Sequence, residues 1–471
     1  MSDAIELGTV VSTGSPLLVS RQKLGNVHFR GMTGSGKSSM GAIPLIAQLM
    51  SPYRLDGGPE ERDPLFIFDL GGDQSLFHTS RTLAERAERR FRHVTLDPDL
   101  HSDHFPPFQA IPPGERNVLG MASFLVTAMH LDYGIVYGGS YFTSQNVSSL
   151  LEVARRISRE DGASATLDDV SAFLDSPRNR KLFKDADQVR MLFNFLKEYP
   201  QLSESGHPED DILFERALNE SEVIYFFLPT LTEPQSARIV AGLALYTAVQ
   251  AAMRRTKLGK PKRRAKIFID EFQTIVGPSL GALLAQARKF GISFVLLNQS
   301  TSQLENRDVD LADVVFEGTS TKIYFTVQGK KDVDDLQLLS GETIKSLGGT
   351  STQKFTQSKS THEVILPKLE LDKILEVSAT FGQAFACLNH GNGRHEPIII
   401  QTRHQFRDLS DVPMPARKTP QEKPAAKTPR KEHRDADLMR RKLSELLAAK
   451  RRAEAWDGPE SGGTESSEQT E

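Results

Sequence analysis

A single cysteine, Cys387, occurs in 471 residues, so no intrachain disulfide can form and the composition suits a reducing compartment. Neither sign of charge prevails, with 58 Lys and Arg against 61 Asp and Glu. Without a global basic field, any nucleic-acid contact must come from local patches or from oligomerisation that concentrates them. The opening Met1 to Glu6 lacks the basic and then apolar pattern of a signal peptide. No apolar run reaches the roughly 18 residues that cross a bilayer; the nearest approach, Val118 to Leu131, is broken by Ser and Thr and reads as a core helix. Internal repeats are absent. What remains is a globular composition too long for one usual core, which implies a large α/β domain with an inserted or appended module and a cytoplasmic location.

Against these absences stands Gly31-Met32-Thr33-Gly34-Ser35-Gly36-Lys37-Ser38, preceded by apolar Val27 to Phe29 and followed by helical spacing over Met40 to Leu49. This is a P-loop. The spacing lets successive backbone N–H groups converge on phosphate oxygens, with Lys37 reaching the β- and γ-phosphates and Ser38 taking a place on Mg²⁺. The positive end of the following helix faces the same anion. Gly31, Thr33, Gly34, Ser35, Gly36, Lys37, Ser38 and Ser39 are therefore the expected nucleotide-binding residues, with ATP and Mg²⁺ as cofactors.

Along the chain, Leu65 to Asp69 and His93 to Pro98 read as buried strands. Between Asn117 and Asn219 the pattern turns helical, over Val118 to Leu131, Val147 to Ile157, a segment opened by the capping pair Thr166 and Asp169, and Lys181 to Lys197. Strands then resume at Val223 to Leu228, Ile267 to Asp270 and Ser293 to Leu297, separated by helices over Ser236 to Met253 and Leu280 to Phe290. Ile323 to Val327, Gln383 to Leu388 and Pro397 to Ile400 would extend or edge the sheet. Short strands alternating with helices predict a mostly parallel sheet covered on both faces. The expected division is a P-loop ATPase domain in two parts, 1–115 and 220–411, an all-α insertion over 116–219, and a charged, disordered tail over 412–471.

Four further positions carry chemistry. A buried strand ending in Asp270 places that carboxylate on the Mg²⁺ hydration shell, and Glu271 beside it can orient and deprotonate the attacking water. Gln299, ending the next strand, can hydrogen-bond both the γ-phosphate and the water. Arg288, in the helix between them, could reach a neighbouring subunit's γ-phosphate in a ring, with Arg307 as the competing candidate. The bland alternatives are surface acids, a structural glutamine and a solvated arginine.

Taken in order, the P-loop, Phe68-Asp69-Leu70-Gly71-Gly72, Asp97-Pro98, Phe105 to Phe108, Ile269 to Phe272, Ala287 to Ile292 and Asn298-Gln299-Ser300-x-Ser302-Gln303-Leu304 resemble the conjugative coupling-protein ATPases of the VirD4/TraG/TrwB group. Those belong to the FtsK–HerA superfamily of DNA-pumping motors, and the likeness runs over about residues 20 to 402. It implies a RecA-like motor domain, a hexameric ring, a trans-acting arginine at Arg288 and a glutamine sensor at Gln299. Three departures stand out: about 25 residues precede the P-loop where the membrane-bound members carry transmembrane helices, Asp69-Leu70-Gly71-Gly72 replaces an Asp-Pro-Lys-Gly turn, and Pro106-Pro107 replaces Asn-Pro.

Ligands approach the carboxyl ends of strands in such sheets, so the loops Gln273 to Leu280 and Ser300 to Val315 are expected to face a central channel. The acid-free cluster from Arg254 to Lys266 falls on the opposite rim, and a second basic segment runs from Arg417 to Arg452. Either is a candidate for DNA or an acidic partner, or simply solvated. The expected function is a ring-forming, ATP-hydrolysing DNA translocase acting in conjugative transfer or a related mobile-element process. Relaxase and membrane-bound secretion components are its expected partners at the inner face of the membrane. A protein-translocating ATPase related to VirB4 and a nucleotide-dependent scaffold are the rivals.

Overall fold

The structure, a computed structural model, describes residues 3–55, 58–109, 118–129, 148–155, 166–182, 187–305, 310–327, 329–353, 356–389, 396–404 and 407–417. In chain order the strands are β1 (Ala4–Val10), β2 (Pro16–Ser20), β3 (Val27–Arg30), β4 (Tyr53–Arg54), β5 (Glu60–Glu61), β6 (Leu65–Asp69), β7 (Phe91–Thr95), β8 (Val223–Phe227), β9 (Ala265–Asp270), β10 (Ile292–Asn298), β11 (Thr321–Tyr324), β12 (Glu342–Gln353), β13 (Thr356–Pro367), β14 (Gln383–Leu388) and β15 (Ile398–Gln401). Eleven of them form one sheet in the order β2-β1-β15-β14-β11-β3-β10-β9-β6-β8-β7. From β11 to β7 neighbours run parallel, and from β11 to β2 they run antiparallel. The sheet is therefore mixed α/β and mostly parallel, with the P-loop strand β3 near its middle.

Strands β3, β6, β8 and β9 are buried along their whole length, as continuous apolar runs covered on both faces must be. Period-two alternation sorts their side chains. Phe66, Phe68, Ile224, Phe226, Ile267 and Ile269 face one core, which also takes in the helical block between β7 and β8 and the helix Pro234–Lys257. Leu65, Ile67, Val223, Tyr225, Phe268, Val295 and Leu297 face the other, against the helices Ile43–Met50 and Gln74–Arg86. Aromatic stacking reinforces the first face, with Phe68 and Phe226 rings 4.8 Å apart and nearly coplanar.

Several expectations need correction. Pro234–Lys257, not the segment beginning at Val118, is the one helix among the described residues long and apolar enough to cross a membrane, and 78% of its apolar window is buried inside the protein. The helix expected over Leu280 to Phe290 ends at Gln286, because Ala287–Phe290 tightens into a 3₁₀ turn closed by Gly291 at φ +85°. That over Lys181 to Lys197 divides into Pro177–Leu182 and Asp187–Leu196. Three hairpins were not read from the sequence: β1–β2 on the sheet edge, the two-residue β4–β5 pair, and the β12–β13 ribbon, paired over twelve registers and separate from the main sheet. Past β15, residues 407–417 lie against the opposite edge: Leu409 N–H donates to Ser75 Oγ (2.9 Å) and His101 N–H to the Pro415 carbonyl (2.7 Å). Residues 418–471, which include nearly all of the second basic segment, and Arg307 lie outside the described residues.

Candidate active site

β3 delivers the chain into the P-loop at the carboxyl rim of the sheet. Gly31 follows at φ +152°, where an added Cβ would lie 2.6 Å from Ser35 Oγ and 2.9 Å from Phe325 Cβ. Gly36 stands at φ +96°, and a Cβ there would collide with the Met40 methyl group. Only glycine meets both demands. Ser35 N–H donates to the Met32 carbonyl (3.1 Å), and the helix that follows opens on a wide π-type turn, Lys37–Ala42, holding Ser38 and Ser39. Thr33 and Gly34 are exposed at the loop's tip.

Lys37 is buried, and its ammonium donates to the carbonyls of Gly31 (2.7 Å) and Met32 (3.1 Å). Burial lowers its pKa, while Glu271 and Asp270 pull it back up. Those carboxylates end β9, two strands across the sheet from β3. Burial pushes Asp270 up to about 8, with Asp69 and Glu271 adding repulsion and Lys37 offsetting part of it. Asp69 ends β6 in direct register with Asp270. It too is raised by burial, to about 6, although it accepts hydrogen bonds from Tyr225 Oη (2.8 Å) and Gly72 N–H (2.7 Å). Glu271 itself adopts φ +51°, a left-handed conformation costly for a glutamate; its N–H donates to Asp270 Oδ1 (3.0 Å) and its carboxylate accepts from Gln273 Nε2.

Gln299 follows β10, which lies between β3 and β9. Its loop is held by its own polar residues: Asn298 Nδ2 donates to the Ser300 carbonyl (2.7 Å), and Gln299 N–H donates to Gln303 Oε1 (3.0 Å). Lys37, Ser38, Asp270, Glu271 and Gln299 thus share one rim. Arg288 does not join them. It is exposed in the turn before β10, on the amino rim, near Lys266, whose pKa burial lowers to about 8 with a small further push from Arg288. Leu258 to Arg264 of the basic cluster lead into β9 on this same rim, where Lys260 pairs with Glu215 and Arg264 Nη1 lies 3.7 Å from Glu61.

Sequence reasoning missed a buried network beneath the P-loop. Arg30, 1% exposed, donates through Nη1 to Thr301 Oγ1 (2.6 Å), to Asp332 Oδ1 (3.2 Å) and to Asp335, and through Nε to His28 Nδ1 (3.1 Å). Burial keeps His28 neutral, so its Nε2–H donates to Asn298 Oδ1 (2.7 Å). Thr301 N–H also reaches Asp332 (3.2 Å). The network ties β3 to the Gln299 loop and to the helix Lys330–Ser340, which leads into the β12–β13 ribbon. Its partners lie about 270 and 300 positions from Arg30 in sequence, beyond any local pattern.

The residues suit a nucleoside triphosphate with Mg²⁺. The loop offers a buried ammonium that donates to two backbone carbonyls, and Ser35 Oγ is buried without a hydrogen-bond partner among the described residues. Asp270, desolvated by burial and repelled by Asp69 and Glu271, calls for a cation. No cluster of three or more metal-ligating side chains occurs among the described residues.

A glycine-rich loop after a central parallel strand, with acids on the strand two places away, defines a RecA-like, NTPase-type α/β fold. Residues 264–377 match the family described as the TraM recognition site of TraD and TraG. Among solved structures, the unbound conjugative coupling protein TrwB is 18% identical at TM-score 0.57, covering 86% of this chain and 90% of that one. TrwB in complex with ADP and Mg²⁺ is 18% identical at TM-score 0.54, covering 85% and 90%. VirB4 of Thermoanaerobacter pseudethanolicus is 13% identical at TM-score 0.56, covering 86% and 97%. No curated protein sequence matches the chain. The resemblance to coupling-protein ATPases of the TraG/TrwB type therefore rests on the family segment, the shared fold and the motifs together.

Proposed function

We propose that this protein hydrolyses ATP at the P-loop site and uses the energy to move DNA in conjugative transfer or a related mobile-element process. The observation that carries the proposal is the convergence of Lys37, Asp270, Glu271 and Gln299 on one rim, with Lys37 and both acids electrostatically coupled. On this reading the loop N–H groups and Lys37 hold the β- and γ-phosphates. Ser38 and Asp270 would hold Mg²⁺, which supplies charge neutralisation at those phosphates. Glu271 accepts a proton from the attacking water as the water oxygen bonds the γ-phosphorus and the bond to the β–γ bridging oxygen breaks, releasing ADP and phosphate, while the Gln299 amide orients that water. The strained backbone at Glu271 supports the assignment, since such conformations concentrate where a side chain must be aimed.

Arg288 sits on the far rim from its own P-loop, so as a finger it would serve a neighbouring subunit; a homo-hexameric ring is the assembly that supplies one. The TraM description attached to the family of residues 264–377 makes a relaxosome protein a candidate partner, alongside relaxase and membrane-bound secretion components. The working place is the cytoplasm, at the inner face of the membrane. ATP-dependent displacement of a third strand from triplex DNA tests the proposal. Wild-type protein should displace it and Lys37→Ala should not. Failure of the wild type, with ATPase stimulated instead by a protein substrate, would favour the second reading that the VirB4-like fold supports, a protein-translocating ATPase.

A further inference from the structure

If the P-loop holds a nucleoside triphosphate, as proposed above, the strand order dictates which way that nucleotide lies. Asp270, Glu271 and Gln299 belong to β9 and β10, on one side of β3, and the γ-phosphate belongs with them. Ribose and base must then leave toward the other side, over β11 and β14. The chain segment that opens β14 is Thr380-Phe381-Gly382, two strands from β3 and about 10 Å across the sheet.

Phe381 is 75% exposed, unusual for a phenylalanine in a well-packed region. Its ring centroid lies 6.1 Å from that of His404, tilted by 45°. The backbone carrying it is fixed. Gly382 O accepts from Thr402 N–H (2.8 Å) and Thr402 Oγ1 (2.7 Å), and Gln401 Nε2 reaches the Phe381 carbonyl (3.5 Å). Met40 connects this segment to the phosphate loop: its Sδ lies 3.6 Å from where a Gly382 Cβ would be, and its methyl fills the space of a Gly36 Cβ. An aromatic ring thus stands open to solvent on a main chain that is pinned by hydrogen bonds, and one side chain, Met40, separates that main chain from the P-loop.

We propose that Phe381, with His404 beside it, is the platform on which the nucleobase of the bound nucleotide stacks. A flat ring on an ordered main chain gains by covering its face with a base and has only its two side-chain torsions to order in doing so.

The test is binding of two probes to the full chain in Mg²⁺: a non-hydrolysable ATP analogue, which has a base, and tripolyphosphate, which has none. Phe381→Ala should weaken the ATP analogue about tenfold while tripolyphosphate stays within about twofold, and Phe381→Trp should keep the wild-type affinity for both. An unchanged affinity for the ATP analogue in Phe381→Ala, or equal losses for the two probes, overturns the platform while leaving the P-loop assignment standing. A wild-type chain that binds neither probe overturns the nucleotide reading and this inference with it.

Discussion

Replacing Arg30 by methionine tests whether the network under the P-loop is a structural necessity. The guanidinium is buried, and burial alone would lower its pKa, but Tyr324, Asp335 and Asp332 more than offset that and the net shift is upward. Arg30→Met keeps most of the side-chain volume and leaves the Asp332 and Asp335 side chains, 7% and 21% exposed, without their cation. Removing one partner of a buried ion pair costs about 3–5 kcal/mol, because the remaining charge stays desolvated. The lost bonds to Thr301 and His28 add to this, whereas partial exposure of Asp335 relieves it, so about 4 kcal/mol is expected. Urea unfolding should show that loss for Arg30→Met, and more than half of it should return in the triple variant Arg30→Met, Asp332→Leu, Asp335→Leu, which removes the stranded charges. A single-variant loss under about 1 kcal/mol would refute the reasoning, since it would mean that water or proton uptake already compensates these acids.

Other expectations follow from the same geometry. Arg288→Ala should leave nucleotide affinity unchanged but lower turnover about 10³-fold in assembled protein, and mixing it with Lys37→Ala subunits should restore part of the rate; no recovery on mixing would count against a finger acting in trans. Gly36→Ala should abolish binding of tripolyphosphate and nucleotide alike, since its φ of +96° strains any residue with a Cβ; retained binding would show that the loop reshapes freely. His93, lowered to about 4 chiefly by burial among groups that include Asp103, His101 and Arg81, binds its proton more readily unfolded than folded. The His93 contribution to stability should therefore fall on the order of 3 kcal/mol as pH drops from about 6.5 to 4, read as the change in the stability difference between wild type and His93→Gln over that range; a difference that stays constant with pH would remove His93 as a cause.

Much of the parallel half of the sheet was legible because its strands are short apolar runs between helical patterns, and the P-loop because its glycines obey a local steric rule. Asp270 and Glu271 were legible for the same reason, as acids ending a buried strand. Asp69 ends β6 in the same way but took its meaning only when the register placed it beside Asp270. The antiparallel edge was harder: β1 and β2 are partly exposed, and their partner β15 is separated by nearly the whole chain. Arg30 reads as a polar residue at a strand end, since its acids arrive from a helix 300 positions later. Within the Asn298 to Leu304 motif, Asn298, Ser300 and Gln303 build the loop that carries Gln299, a local hydrogen-bond pattern that residue types and spacing alone do not disclose.

The most direct measurement is steady-state ATP hydrolysis by wild-type and Glu271→Gln proteins, with and without DNA, alongside nucleotide binding by both. Wild-type turnover should rise with DNA, and Glu271→Gln should bind ATP normally yet hydrolyse it at least about 100-fold more slowly under every condition. Hydrolysis by Glu271→Gln at the wild-type rate, or wild-type turnover indifferent to every form of DNA, would contradict the account.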